Sequence, residues 1–192
     1  LPRGLCLLLL TVTAVLGRPA PGYGQSRDWV LAQIEAKNAG LRADVRGEKY
    51  VAMTESALSF FRATNHVYWT EFGHSSLLST YGGSTTRIWL QGDAHAENIG
   101  ALSNNKNDVV YDVDDFDEVV IGDYQLDLWR LAISLILLAR ENRGFSMADQ
   151  EALLDTLTAS YLNTIASYRG NNNELTQTFT AKNTANPLAD FL

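Results

Sequence analysis

The segment from Leu126 to Ala139 is apolar on nearly every side, interrupted only by Asp127, Arg130 and Ser134. A helix with so little polar surface has to be surrounded, so the rest of the chain must wrap this one. It is too short and carries too many charges to cross a membrane. With 192 residues, 46% of them hydrophobic, the chain is long enough to bury one such core as a single domain.

The wrapping elements follow from periodicity. Val30, Leu31 and Ile34 recur at helical spacing between Arg27 and Lys37. A second helix is predicted from about Lys49 to Ala63, carrying Met53, Leu58, Phe60 and Phe61. The aromatic-rich stretch from His66 continues as helix to about Leu78, and Gly82 and Gly83 close it. The period then changes. Thr86 to Gln91 and Asp108 to Val113 read as short β-type runs, with a turn-rich stretch at 103–108 between them. After the buried helix, a capping box of Ser146 and Asp149 opens an amphipathic helix through Leu153, Leu157, Tyr161 and Ile165. The expected fold class is α+β, mostly α-helical, with a short β-hairpin and no internal repeat, and the domain spans 26–168.

Both ends read differently from this body. Arg3 is followed by an apolar run from Leu5 to Leu16 and then by small and turn-forming residues, the pattern of a signal peptide over 1–25. That predicts export to the periplasm or beyond, and a cytoplasmic protein otherwise, with no transmembrane span in the mature chain. The chain opens with Leu instead of Met. Residues 169–192 are polar and rich in Asn and Thr, and are expected to be a linker or a truncated continuation. One cysteine excludes an intramolecular disulfide framework and any Cys-rich metal site. A net charge of −7 argues against nucleic acid as a partner.

The acidic surplus is concentrated at the ends of the two β-type runs. The first ends in QGDAHAENIG (91–100) and the second in YDVDDFDE (111–118). Asp93, Glu97, Asp112, Asp114, Asp115, Asp117 and Glu118 lie there with His95 and Asn98, and neither motif contains Lys or Arg. Such a set repels itself unless a cation or a proton compensates. A solvated acidic loop is the plain alternative, but these carboxylates abut the apolar residues Val109, Val110, Val113 and Phe116. Oxygen-rich ligands with an Asn suit Mg²⁺ or Mn²⁺ better than zinc. The spacing of a calcium EF-hand loop is not met, because no Gly occupies its sixth position.

Asp93-x-His95-x-x-Asn98 sets an Asp and an Asn five apart in a loop after a strand. The catalytic loop of kinases has that spacing, the Asp orienting the attacking hydroxyl and the Asn holding a metal ion. A second strand then leads to Asp-Phe, and the interval from Asn98 to Asp115 leaves room for a β-hairpin. The motif G-D-x-H-x-x-N resembles the catalytic loop of aminoglycoside phosphotransferases and choline kinases. The wider pattern is similar to the bacterial domain-of-unknown-function family 2252, grouped with the protein-kinase-like fold. It comprises M-x-x-S-x-x-x-F-F-R at Met53 to Arg62, G-D-A-H-x-x-N-x-G at 92–100, D-x-x-D-F-D-E at 112–118 and D-L-x-R-L-A at 127–132. The resemblance implies a kinase-like large lobe and a class of chemistry, not a substrate.

Carried over by residue, the resemblance implies Asp93 as catalytic base or hydroxyl orienter, with His95 bracing its loop or merely satisfied by nearby carboxylates. Asn98 and Asp115 would be metal ligands, with Asp112 and Asp117 as alternatives because the acidic motif can be registered more than one way. Asp127 would accept N–H bonds from the catalytic loop. Arg62 and Arg130 are candidates to bind cofactor phosphate or to neutralise the acidic cluster. The implied cofactors are Mg²⁺ or Mn²⁺ with ATP or another nucleotide, and the acceptor is a hydroxyl-bearing small molecule.

One part of the kinase pattern is missing. No G-x-G-x-x-G and no strand lysine precede Gly92, and Gly82-Gly83-Ser84 is a weak substitute. The family resemblance implies that such segments follow the catalytic motifs, so the small lobe is expected to be absent from this chain. Export adds a difficulty, since ATP is scarce outside the cytoplasm. Two other readings therefore stand beside the phosphotransferase: an inactive binding domain on the same fold, and a metal-dependent phosphohydrolase using the same carboxylates.

Overall fold

The computed structural model describes residues 26–142 and 144–192, so the predicted leader over 1–25 lies outside the described residues. Among the described residues five short helices come first: α1 (Arg27–Asn38), α2 (Ala43–Met53), α3 (Ala57–Ala63), α4 (Asn65–Gly73) and α5 (Ser76–Tyr81). The helix predicted over Lys49–Ala63 is in fact two, α2 and α3. Its break has a local cause. Thr54 Oγ1 donates to the Val51 carbonyl (2.7 Å), and the Ser56 hydroxyl accepts the Ser59 N–H (3.0 Å), capping a new helix. The stretch from His66 divides likewise, because Ser75 caps α5 by accepting the Leu77 N–H (3.2 Å).

Among the described residues four strands make two small antiparallel sheets. β1 (Arg87–Leu90) pairs with β4 (Val120–Asp123), and β2 (Ile99–Ser103) pairs with β3 (Val109–Val113). The two predicted β-type runs are β1 and β3, and they do not pair with each other. Ile99 opposes Val113, so a β-hairpin does separate Asn98 from Asp115. β2 and β4 escape a reading by residue preference because IGALS and VIGD are short and each carries a glycine, which weakens a strand signal.

α6 (Gln125–Glu141) is the buried helix, and α7 (Met147–Ser167) packs along it. Leu126, Trp129 and Ile133 meet Tyr68 and Leu90 on one side, while Ala132 and Ile136 meet Leu154 on another. The capping box forms as predicted: Asp149 N–H donates to Ser146 Oγ (3.2 Å) and Ser146 N–H donates to Asp149 Oδ2 (2.8 Å). Among the described residues no helix is long and apolar enough to cross a membrane. The stretch expected to be linker or continuation returns to the domain. Tyr111 N–H donates to the Phe179 carbonyl (2.8 Å), and Phe191 of α8 (Leu188–Phe191) sets its ring edge-on to Tyr111.

Candidate catalytic cleft

The polar interruptions of α6 stand at positions i, i+3 and i+7, which is one face of a helix. Each of them holds the loop that follows β1. Asp127 accepts the N–H groups of Gln91 (2.7 Å) and Gly92 (3.1 Å). Arg130 grips the Asp93 carboxylate through Nε and Nη2. Ser134 Oγ accepts the Ala96 N–H (3.0 Å) while donating to the Leu131 carbonyl (2.8 Å). From α4, Trp69 Nε1 (2.8 Å) and Asn65 Nδ2 (3.1 Å) both donate to the Gly92 carbonyl. Gly92 is required here, with φ at +86°, because a Cβ would come within 1.9 Å of the Glu118 carbonyl oxygen.

Arg130 is fully buried, with its guanidinium carbon 4.3 Å from the Phe61 ring centre and 5.1 Å from that of Tyr68. Its place beside Asp93 makes it a partner for that carboxylate instead of a contact for an incoming phosphate. Burial pushes the Asp93 carboxyl above its ordinary value, and the Arg130 charge and hydrogen bond pull it part of the way back. Burial likewise raises Asp127, against the pull of the two backbone N–H groups.

His95 is 2% exposed. Its Nδ1 accepts the Glu97 N–H (3.2 Å), which caps the 3₁₀ turn Ala96–Asn98, so the ring proton belongs on Nε2, 3.7 Å from Asp93 Oδ2. Burial first, then the Arg62 and Arg130 charges, lower its pKa to about 4 and keep it neutral. Asn98 is also buried. Its Nδ2 donates to the Asp93 carbonyl (3.2 Å), which leaves the amide oxygen for a ligand.

The acidic loop after β3 is tied to this one by Gln91, whose Nε2 donates to the Asp115 carbonyl (2.8 Å) and whose Oε1 accepts the Asp93 N–H (2.8 Å). Asp114 N–H donates to the Asn98 carbonyl (3.1 Å). Of the three candidate metal aspartates, Asp115 lines the same cleft as Asp93, His95 and Asn98. Asp112 and Asp117 do not line it. Asp112 is exposed on β3 with its carboxylate turned to the Val113 N–H (2.8 Å), and Asp117 is exposed with its own N–H on Asp115 Oδ1 (3.1 Å).

The cleft measures about 400 Å³, and its other wall comes from α2 and α3, with Lys49, Met53, Ser59 and Arg62 among its lining. Arg62 pairs with Glu97, both nearly half exposed. Among the described residues, no three His, Cys, Asp or Glu side chains form a group that could hold a metal unaided. Asp115 and the Asn98 amide oxygen, with Asp93 close by, suit a different arrangement. Mg²⁺ keeps several waters and takes one or two protein oxygens plus substrate phosphates, and this donor set fits an ion of that kind. Sequence reasoning missed the roles of Gln91, Ser134 and Lys49. The i, i+3, i+7 polar stripe was a legible signal for Ser134; nothing local marked Gln91 or Lys49.

Residues 44–190, more than half of the chain, match the family described as uncharacterized protein conserved in bacteria (DUF2252). No curated protein and no solved structure matches the chain.

Proposed function

The chain belongs to the DUF2252 family, and on that footing we propose that it is a metal-dependent phosphotransferase with a kinase-like large lobe, acting on a hydroxyl-bearing small molecule. One observation carries the reading: Asp93 and Asn98 sit on a loop clamped by α6 and share a cleft with Asp115. Phosphoryl transfer depends on positioning and charge neutralisation, and a pre-set loop of this kind supplies both.

In this reading Arg130 engages Asp93 Oδ1, and Oδ2 orients the acceptor hydroxyl and receives its proton. The raised pKa makes Asp93 a stronger base than an ordinary carboxylate. Neutral His95 holds the turn that presents Asn98. Asn98 and Asp115 would hold Mg²⁺ or Mn²⁺, which when bound neutralises charge on the phosphates of ATP or another nucleotide. Arg62, at the cleft wall, would face those phosphates.

The test is the thermal unfolding midpoint of the full-length protein with ATP alone, Mg²⁺ or Mn²⁺ alone, and both together. Binding to the native state raises the midpoint by mass action. The expected result is a shift that needs both. Turnover with candidate acceptors should then vanish in Asp93→Ala, and fall on the acid side at a higher pH than an unperturbed aspartate would give. A folded sample that shows no shift with any combination sinks the proposal in favour of an inactive binding domain. Phosphate released from nucleotide without an acceptor would point to the hydrolase.

A further inference from the structure

Between Leu1 and Gly92 the chain carries neither of the usual kinase phosphate clamps, a Gly-rich loop or a strand lysine. The helical wall of the cleft offers one. On α2, Lys49, Ala52 and Met53 line the cleft, and on α3 Ser59, Arg62 and Ala63 do so. Each set is i, i+3, i+4, a single helix face. Lys49 and Arg62 are therefore carried on the faces that two successive helices turn toward Asp93, Asn98 and Asp115.

Both cations are available. Lys49 is half-buried and makes no ion pair among the described residues. Arg62 pairs with Glu97, and a pair this exposed is worth about 0–1 kcal/mol, too little to withhold the guanidinium from a multiply charged anion. Glu55 is the carboxylate on this wall, so the helical side keeps a cationic excess in a chain whose net charge is −7. The two types divide the work of holding a phosphoryl group: guanidinium as a planar fork, ammonium as a point charge.

We propose that Lys49 and Arg62 form an anion subsite for the phosphoryl oxygens of a phosphate ester or anhydride. This deepens the phosphotransfer reading and rests on it for which substrate brings the phosphate. It also moves the expected clamp from a strand to a pair of helices that precede the carboxylate loops.

Calorimetric titration of the full-length chain with inorganic tripolyphosphate, without metal, tests it. Lys49→Gln should weaken binding about tenfold, the size of one charge-assisted hydrogen bond, and Arg62→Gln at least as much. Lys49→Arg should stay within about threefold, because the charge is kept. Asp115→Asn should not weaken this metal-free binding, since it removes a negative charge from the cleft. Unliganded midpoints of the Lys49 variants should equal that of the wild type, which excludes misfolding as the cause. No tripolyphosphate binding by the wild type, or equal affinity in Lys49→Gln, overturns the subsite.

A second arm identifies the source. Competition between tripolyphosphate and Mg–ATP assigns the subsite to the donor, whereas retention of a sugar monophosphate in the presence of Mg–ATP assigns it to the acceptor. Mg–ATP binding with tripolyphosphate indifferent to Lys49 sinks the subsite alone. Lys49-dependent tripolyphosphate binding with no response to any metal–nucleotide pair supports the subsite and sinks the phosphotransfer reading.

Discussion

The two loops that bring carboxylates to the cleft are alike in composition and opposite in construction. The loop after β1 is held at Gln91 and Gly92 by the half-buried Asp127 of α6 and at Asp93 and Ala96 by the buried Arg130 and Ser134, and its His95 and Asn98 are themselves buried. The loop after β3 leaves Asp114, Phe116, Asp117 and Glu118 exposed, and is tied mainly through Gln91 and the Asn98 carbonyl. A proton acceptor gains from fixed geometry, whereas a carboxylate meant for a hydrated cation gains from access to water. The contrast teaches that an acidic motif cannot be judged by its charges alone. What decides its chemistry is which other element donates to it.

The largest expected effect tests the clamped side. Arg130→Met leaves the partly buried Asp93 without its partner and should cost up to roughly 3–5 kcal/mol, read from urea unfolding. A loss below about 1 kcal/mol would break the comparison at its root.

His95 comes next. Its pKa in the fold is about 4, below the ordinary 6.5, so the unfolded chain takes up the proton first. Stability from this residue is complete above pH 6.5 and falls by up to roughly 3 kcal/mol as the pH drops toward 4. In His95→Gln the unfolding free energy should be flatter across that window. An identical acid limb in both proteins would show that His95 is not held neutral.

On the exposed side, Asp115→Asn should change stability by less than about 0.5 kcal/mol yet remove the metal-dependent part of any nucleotide-induced rise in midpoint. Smallest of all are Asp112→Asn and Asp117→Asn, within about 0.5 kcal/mol of wild type and with metal dependence intact. Should Asp117→Asn abolish that dependence and Asp115→Asn spare it, the register of the acidic loop is wrong and the comparison has to be redrawn around Asp117.

Much of this was legible in the sequence where one residue type has one strong use. The buried helix announced itself through an apolar surface broken only by one narrow polar stripe, and the Ser146–Asp149 capping box is as its spacing predicts. Helix breaks at Thr54–Ser56 and at Ser75 were not read, because a hydroxyl's choice between facing solvent and capping a new turn depends on what packs beyond it. β4 was missed for a related reason: four residues with a glycine make a strand only once β1 lies alongside. The joining of Asp93, Asn98 and Asp115 at one cleft is long-range geometry, and so is the exclusion of Asp112 and Asp117 from it. Spacing could place the first two on one loop but could not choose among three aspartates on another.

Gln91 has a consequence of its own. A planar amide has fixed dimensions, and here both of its ends are in use, one on each loop. The separation of Asp93 from the Asp115 backbone is thus gauged by a single rigid group. Asn at this position would be too short to reach both, and Glu would keep the length but lose the donor. A displacement of the acidic loop is therefore conveyed, through one side chain, to the backbone that carries Asp93.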